Sequence, residues 1–332
     1  MTLLRLTDRG LYCEAGDFHV DPWGAVERAV VTHAHGDHVA WGCGAYLTSA
    51  EGLGVLQDRL QGDARIRGLP YGEAIDINGV RVSLHPAGHI LGSAQVRLEH
   101  RGEIWVVSGD YKTDPDPTCT PFEPVRCHTF ITESTFGLPI YRWPPQAEVL
   151  ADINAWWRAN QAAGKATLLF GYALGKAQRL LAGLDPTIGP IFTHGAVERL
   201  NQKYREAGVA LPATTYVATV DRRSDWSNAI IVAPPSADGS LWARRFGLHA
   251  TGFASGWMLV RGTRRRRSLD RGFPLSDHVD WPSLLTAIEA TGASRVWVTH
   301  GFTGPVVRWL GEHGVDATAV QTRFEGEQDD AE

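Results

Sequence analysis

The stretch Thr32-His33-Ala34-His35-Gly36-Asp37-His38 places three imidazoles and one carboxylate within six residues, directly after the β-like run Ala29-Val30-Val31-Thr32. Neutral imidazole nitrogens and carboxylate oxygens are good zinc ligands, at about 2.0–2.2 Å. A loop after a strand can point alternate residues into one cavity. His33 and His35 could therefore share one metal ion, while Asp37 and His38 reach a second. The alternatives are a solvated histidine-rich loop or a single structural zinc, but structural zinc prefers thiolates and no cysteine is near.

One short loop cannot close two metal sites, so further ligands must come from other parts of the chain. Three candidates each lie beside a predicted strand: His89, Asp110 and His300. Such a residue alone is more often a cap or a turn residue. Together, beside the histidine-rich loop, they favour a shared site, because open α/β folds gather their chemistry at the carboxyl ends of strands.

The pattern of predicted secondary structure changes near Gln146. Before it, short alternating runs with Gly and Pro between them predict strands, as at 80–84, 94–98, 104–107 and 129–132. After it, helices predicted over 147–161, 175–184 and 196–207 alternate with strands predicted over 167–170, 215–217, 229–232 and 256–260, which indicates an α/β unit. A helix over 282–291 and a strand over 295–299 follow. No internal repeat is visible.

Composition sets limits on the class of protein. The 332 residues suffice for about two domains, with 43% apolar and 21% charged residues, which excludes a disordered chain, a collagen or a small disulfide scaffold. The net charge of −5 means that a nucleic-acid partner must be held by a local basic patch or a metal. No apolar run approaches 18 residues, the N-terminal stretch lacks the apolar core of a signal peptide, and the four cysteines form no Cys-x-x-Cys pair. The expectation is a cytoplasmic protein with reduced thiols and no membrane partner.

The residues quoted above resemble the metallo-β-lactamase fold superfamily. Glu133 in the run 131–137 resembles the acidic motif that opens its β-CASP nuclease branch, His278 in 274–280 resembles that branch's second motif, and His300 its third. The resemblance runs from about Leu11 to about Gln321. Within the branch, the compact length and the segments 170–181, 251–258 and 264–278 are most similar to the bacterial ligase-associated DNA exonucleases.

The resemblance implies how the chain folds. The expected class is α/β, a metallo-β-lactamase αββα sandwich interrupted by an inserted, reduced β-CASP α/β cap domain. The predicted segments are 1–145 for the first part of the sandwich, 146–270 for the insertion and 271–324 for the returning part. Residues 325–332 are predicted to be a disordered acidic tail.

The resemblance also implies a ligand set and catalytic roles. Two Zn²⁺ ions are expected, with Mn²⁺ as the alternative: His33, His35 and His89 hold one ion, Asp37, His38 and His300 hold the other, and Asp110 bridges them. His278 is the candidate general acid, since an imidazole of near-neutral pKa suits that task. Glu133 is expected to orient His278 or a metal-bound histidine, and Asp37 is counted with these two as catalytic. A turn-capping carboxylate and a helix-entry histidine are the structural alternatives for Glu133 and His278.

Contacts with the substrate are predicted in three places. Lys176 lies at a strand-to-helix junction, where a helix N-terminus with a lysine is a good phosphate site. Ser255, in the run 251–257, could bring backbone amides to a phosphate. The run Arg264-Arg265-Arg266-Arg267 leads into His278 and could track a phosphate backbone. An ordinary helix start and a solvated charged face are the alternatives.

The function expected from the resemblance is a binuclear zinc phosphodiesterase, specifically a DNA exonuclease in end processing or repair that is associated with a DNA ligase. An RNA-processing nuclease of the same branch is the first alternative, because a histidine at the third motif, here His300, is commoner among RNA-processing members. A metallohydrolase of small thioesters or lactams and a non-catalytic binding module are the others. The Glu133 and His278 motifs disfavour the small-molecule enzyme, and the complete ligand set disfavours the binding module.

Overall fold

The computed structural model describes residues 2–221, 223–260 and 269–322. The chain forms two units, one of residues 2–142 with 278–322 and one of residues 143–277. The predicted segment limits at 145 and 270 stay a prediction, and the tail 325–332 lies outside the described residues. Within the described part of the chain, no helix is both long enough and apolar enough to cross a lipid bilayer.

The first sheet of the discontinuous unit has six strands in sequential order. They are β1 (Arg5–Thr7), β2 (Gly10–Cys13), β3 (Phe18–Val20), β4 (Arg28–Val30), β5 (Ala45–Ser49) and β6 (Ile66–Leu69). β1 to β3 pair in antiparallel fashion, and β3 to β6 pair in parallel. Helix α1 (Leu53–Leu60) connects β5 to β6 and packs against both of them.

The second sheet of this unit contains strands from both ends of the chain. Its strands are β7 (Ala74–Ile77), β8 (Val80–Pro86), β9 (Ala94–His100), β10 (Glu103–Val107), β11 (Thr129–Glu133), β18 (Arg295–Thr299) and β19 (Asp316–Ala319). Their order is β19-β18-β11-β10-β9-β8-β7, so the late strand β18 lies between β11 and β19. The β11–β18 pairing is parallel and places Glu133 opposite Thr299, next to His300 at the same end of the sheet.

Two hydrophobic clusters show how the layers of this unit are arranged. One buried cluster joins side chains of both sheets, such as Val20, Leu47, Leu84 and Val96, so the two sheets share an inner face. Helices α5 (Trp281–Thr291) and α6 (Thr303–Glu312) cover the other face of the second sheet, in a separate cluster. With α1 against the first sheet, the layers are αββα, as predicted.

The second unit is a parallel sheet with apolar residues on both faces. Its order is β14-β13-β15-β12-β16-β17. The strands are β12 (Ala166–Phe170), β13 (Ile191–Thr193), β14 (Thr215–Tyr216), β15 (Ile230–Ala233), β16 (His249–Ala254) and β17 (Arg271–Phe273), with helices α2 (Gln146–Ala162), α3 (Lys176–Gly183) and α4 (Gly195–Glu206). All neighbours pair in parallel, and β12 and β15 are buried along their whole length. Such strands need cover on both faces, which explains their continuous apolar runs.

One predicted strand is wrong. Residues 256–260 were expected to be extended, but Gly256–Leu259 forms a 3₁₀ turn and the strand lies earlier, at β16. The hydroxyl of Ser255 accepts a hydrogen bond from the backbone N–H of Trp257, which caps this turn. Serine commonly makes this local bond in place of a ladder bond, and a count of apolar residues does not detect it.

Candidate metal centre

The loop 32–38 follows β4 and is held from outside by one carboxylate, Asp21, just after β3. One oxygen of Asp21 accepts a hydrogen bond from the backbone N–H of Thr32 (2.8 Å), and the other accepts from the Thr32 hydroxyl (2.6 Å). The backbone N–H of His38 donates to the carbonyl of His35 (3.2 Å), which closes a turn. The ring centres of His33 and His35 consequently lie 4.8 Å apart, and those of His33 and His38 lie 4.1 Å apart.

A first donor set consists of His33, His35, His89 and Asp110, whose ligand atoms all lie within 4.8 Å of one another. His35 Nδ1 is 3.1 Å from both His33 Nε2 and His89 Nε2. Asp110 Oδ2 is 3.5 Å from His33 Nε2 and 3.9 Å from His89 Nε2. Ligand bonds of about 2.0–2.1 Å in a tetrahedron place neighbouring donor atoms about 3.3 Å apart. These four side chains therefore match a four-coordinate metal ion in both donor type and spacing.

A second donor set shares Asp110. The oxygen Asp110 Oδ2 lies 3.4 Å from His38 Nε2, and Asp37 Oδ2 lies 3.7 Å from the same nitrogen. The ring centre of His300 is 5.6 Å from that of His38. His38 Nε2 is buried and has no hydrogen-bond partner among the described residues. Such a nitrogen costs about 1–3 kcal/mol if it stays unsatisfied, and a bound cation would satisfy it.

Two glycines allow the backbone beside Asp110 and His300 to pack closely against neighbouring segments. Gly109 precedes Asp110 with a φ of +56°, and a Cβ on it would lie 2.6 Å from the Thr32 side chain. Gly301 follows His300 with a φ of +68°, and a Cβ on it would lie 2.5 Å from the carbonyl oxygen of Ser134. Larger residues would have to move these loops, so both glycines are required by the close approach of the backbone.

The charges of the cluster favour a cation at its centre. Burial lowers the pKa of His33 well below its usual value, and the neighbouring charge of His38 lowers it further. Burial opposes the charge of His38 as well, but the nearby carboxylates, Asp110 first, outweigh it and raise the pKa of His38 well above its usual value. Burial opposes the charge of Asp110, yet His38 and His278 hold the pKa of that carboxyl well below its usual value. The nearby carboxylates thus favour a proton on His38, at a place where a metal ion could supply the positive charge instead.

Asp21 was not among the predicted site residues, although it belongs to the support of the centre. Its Oδ2 lies 2.7 Å from His38 Nδ1 and fixes the orientation of the ring that leaves Nε2 toward Asp110. Carboxylates of this kind commonly hold metal-binding histidines. A signal was present, because Asp21 directly follows β3, as Asp110 closely follows β10. That strand is only three residues long, which is too short for an apolar period to mark it in the sequence.

We expect Asp21→Ala to weaken metal affinity by about 10- to 100-fold, because His38 and Thr32 both lose their partner. Competition against a chelating dye measures the affinity, and far-ultraviolet circular dichroism checks that the variant folds. Glu14→Gln, a change at a highly exposed carboxylate, is the control. Unchanged affinity in Asp21→Ala would show that the carboxylate does not support a metal site.

Glu133 and His278 form a buried pair beside the first donor set. His278 Nδ1 lies 3.0 Å from Glu133 Oε1 and 2.9 Å from Oε2, and Oε1 also accepts from the backbone N–H of Tyr111 (2.9 Å). The ring centre of His278 is 4.8 Å from that of His89. Of the two predicted partners for Glu133, the contact is therefore with His278.

Two of the predicted substrate contacts, Lys176 and Ser255, have partners within the second unit. Lys176 is fully buried, and its Nζ lies 2.5 Å from Asp277 Oδ1 and 3.2 Å from the carbonyl of Leu275, so its charge is already paired. Ser255 is also fully buried, as the cap described above. Arg264, Arg265, Arg266 and Arg267 lie outside the described residues. Contact of these side chains with a substrate stays a prediction.

The chain is similar in sequence to several named proteins. No family model matches the chain. A probable DNA ligase of Opitutus terrae is 34% identical over 314 residues, which are 94% of this chain and 30% of that protein. Endoribonuclease YSH1 of Saccharomyces cerevisiae is 29% identical over 140 residues, 42% of this chain and 18% of the relative. The chain thus spans less than a third of the length of either relative.

The solved structures add a likeness of fold. A crystal structure of a protein of unknown function from Enterococcus faecalis aligns with a TM-score of 0.56 and 10% identity, over 82% of this chain and 74% of the other.

A further sequence relative, endoribonuclease YSH1 of Candida glabrata, matches across both units, with 22% identity over 310 residues. The αββα layers, the inserted parallel sheet and these relatives lead to one conclusion: the chain is related to the β-CASP nucleases of the metallo-β-lactamase superfamily.

Proposed function

We propose that the chain is a metal-dependent phosphodiesterase that hydrolyses nucleic acid, and more narrowly a DNA exonuclease that works with two zinc ions. The observation that carries the proposal is the position of Asp110 Oδ2, within 3.5 Å of both His33 Nε2 and His38 Nε2. One buried oxygen between two groups of imidazoles fits a carboxylate shared by two ions. Zinc suits the nitrogen-rich donors, and manganese is the alternative.

Each donor has a role in this proposal. His33, His35 and His89 would hold one ion, Asp37, His38 and His300 the other, and Asp110 both. Two such ions, when bound, lower the pKa of a water molecule and offset the charge of a phosphodiester. The protein contributes the fixed direction of each imidazole, through contacts such as that between Asp21 and His38.

His278 is the proposed general acid for the departing oxygen. Its Nδ1 faces the Glu133 carboxylate, which fixes the ring, and Nε2 is the nitrogen assigned to donate a proton to the substrate. Glu133 is therefore a positioning residue, which itself is held by the backbone N–H of Tyr111.

DNA is the favoured substrate because a relative that matches nearly the whole chain is named a probable DNA ligase. An association with a ligase in the repair of DNA ends is the corresponding cellular role. The free cysteines fit a reducing cytoplasm. RNA is the second candidate, since the YSH1 relatives are named endoribonucleases and this chain has a histidine at position 300.

Incubation with 5′- and 3′-labelled single-stranded DNA and with RNA of matched sequence tests the proposal. We expect stepwise shortening of the DNA from one end, loss of cleavage with a chelator, and recovery when Zn²⁺ or Mn²⁺ is restored. Faster cleavage of RNA would move the substrate to the second candidate. Full cleavage by protein shown to be free of metal would overturn the hydrolase proposal.

A further inference from the structure

Trp41 exposes an unusually large aromatic surface close to the candidate metal centre. The residue is 55% exposed, whereas a tryptophan normally buries most of its area. It lies three residues after His38, and three residues of chain span at most about 11 Å. An exposed indole so near the metal donors is therefore within reach of any polymer that the centre binds.

The loop that presents the indole is held in place on both sides. The Tyr46 hydroxyl donates to the carbonyl of Ala40 (2.7 Å) and accepts from the backbone N–H of Cys43 (3.0 Å). The backbone N–H of Gly44 donates to the carbonyl of Val26 (2.9 Å). A ligand that meets this loop consequently orders little chain that is not already ordered, which favours binding.

A positive charge is fixed on the neighbouring loop. The guanidinium of the exposed Arg9 donates to the carbonyl of Ala25 (2.8 Å), and a Cβ on Gly42 would lie 3.8 Å from the Ala25 Cβ. The backbone N–H of Trp23 donates to the carbonyl of Arg9. Trp23 also lines a small cavity with His38. The arginine, the indole and the second donor set are thus connected through adjacent loops of one unit.

We propose that Trp41 is a stacking platform for an unpaired nucleobase of the substrate strand, and that Arg9 contacts a phosphate of the same strand. An indole face stacks on any base, so the site accepts any sequence but requires a base that is free of its partner. This inference rests on the proposed function and names its substrate class: a single-stranded end. Double-stranded DNA would have to fray before it occupied the site.

Binding to a fluorescent single strand, measured by anisotropy with a chelator present, tests the platform without cleavage. We expect Trp41→Ala to weaken binding by about 5- to 150-fold, the range for loss of one stacked base, and Trp41→Phe to recover most of it. A strand of the same length with abasic positions should bind wild type and Trp41→Ala equally. In the metal-loaded enzyme, KM should rise in Trp41→Ala while kcat stays the same.

Two further variants test the phosphate contact and provide a control. Arg9→Gln should reduce the slope of log Kd against log salt by about 0.7, as expected for one phosphate contact on a single strand. Leu248→Ala, at a 65% exposed apolar residue of the other unit, is the control and should bind as wild type does. Equal weakening of normal and abasic strands by Trp41→Ala would overturn the platform. Trp41-dependent binding without any cleavage would instead overturn the nuclease proposal and leave the platform standing.

Discussion

Asp110→Ala is expected to abolish hydrolysis and to release metal at the same time. The Asp110 oxygen Oδ2 lies within 3.9 Å of nitrogens of His33, His38 and His89. Its removal would take away the negative charge that, in the proposed centre, partly offsets the charge of the two metal ions. Loss of one electrostatic stabiliser alone typically costs about 10²–10³ in rate, and loss of metal adds to it, so we expect a fall of more than about 10³.

Metal content by mass spectrometry and the rate of DNA shortening, measured on one preparation, check this prediction. Asp114→Ala is the matched control, because Asp114 lies in the same loop but is exposed and pairs with Lys112. The control should keep both metal and rate. Two metal ions per chain in Asp110→Ala would contradict a shared-ligand role for Asp110.

His278→Ala is expected to lower kcat by about 10²–10⁴ while metal content is unchanged, because general-acid catalysis contributes that much. The loss should shrink for a p-nitrophenyl phosphodiester, since this leaving group departs without a proton. Steady-state rates on DNA and on the activated ester, with metal content determined in parallel, measure the difference. A normal rate on DNA with intact metal would remove His278 from the chemistry.

Glu133→Gln tests the pair of Glu133 and His278 by changing its carboxylate. The amide keeps the shape of the carboxylate but loses its charge, so the His278 ring is held less firmly and we expect a smaller loss, about 10- to 100-fold. The two changes should not be additive, because they act on one proton transfer. An effect on the activated ester as large as that on DNA would indicate a structural role for Glu133.

The sequence predicted the strands that carry the site better than those that surround it. β9, β10, β11 and β18 have clear runs of apolar residues between turn residues, and their limits differ from the predicted ones by at most two residues. β1 and β3 are only three residues long, which is too short for a period to be visible. The turn after Ser255 differs from its predicted strand for another reason, since a local side-chain hydrogen bond outweighs the apolar composition.

The sequence predicts that the loops carrying the donors approach one another, but it does not predict the contacts that hold those loops in place. His89, Asp110 and His300 were singled out because each lies beside a strand, and the structure brings them around the loop 32–38. Lys176 shows the limit of such reasoning. A lysine at the start of a helix has the same sequence pattern whether it faces solvent or, as here, is buried against a carboxylate 101 positions later.

The position of β18 in the second sheet has a consequence for how the molecule is made. About 160 residues separate the end of β11 from the start of β18. At about 5–20 residues per second, a ribosome needs about 8–30 s to add them. Throughout that interval the nascent chain has an open edge at β11 and lacks the histidine at position 300. Assembly of the whole centre therefore waits until synthesis has passed position 300, and a chaperone that shields this edge would protect the nascent chain from strand-to-strand aggregation.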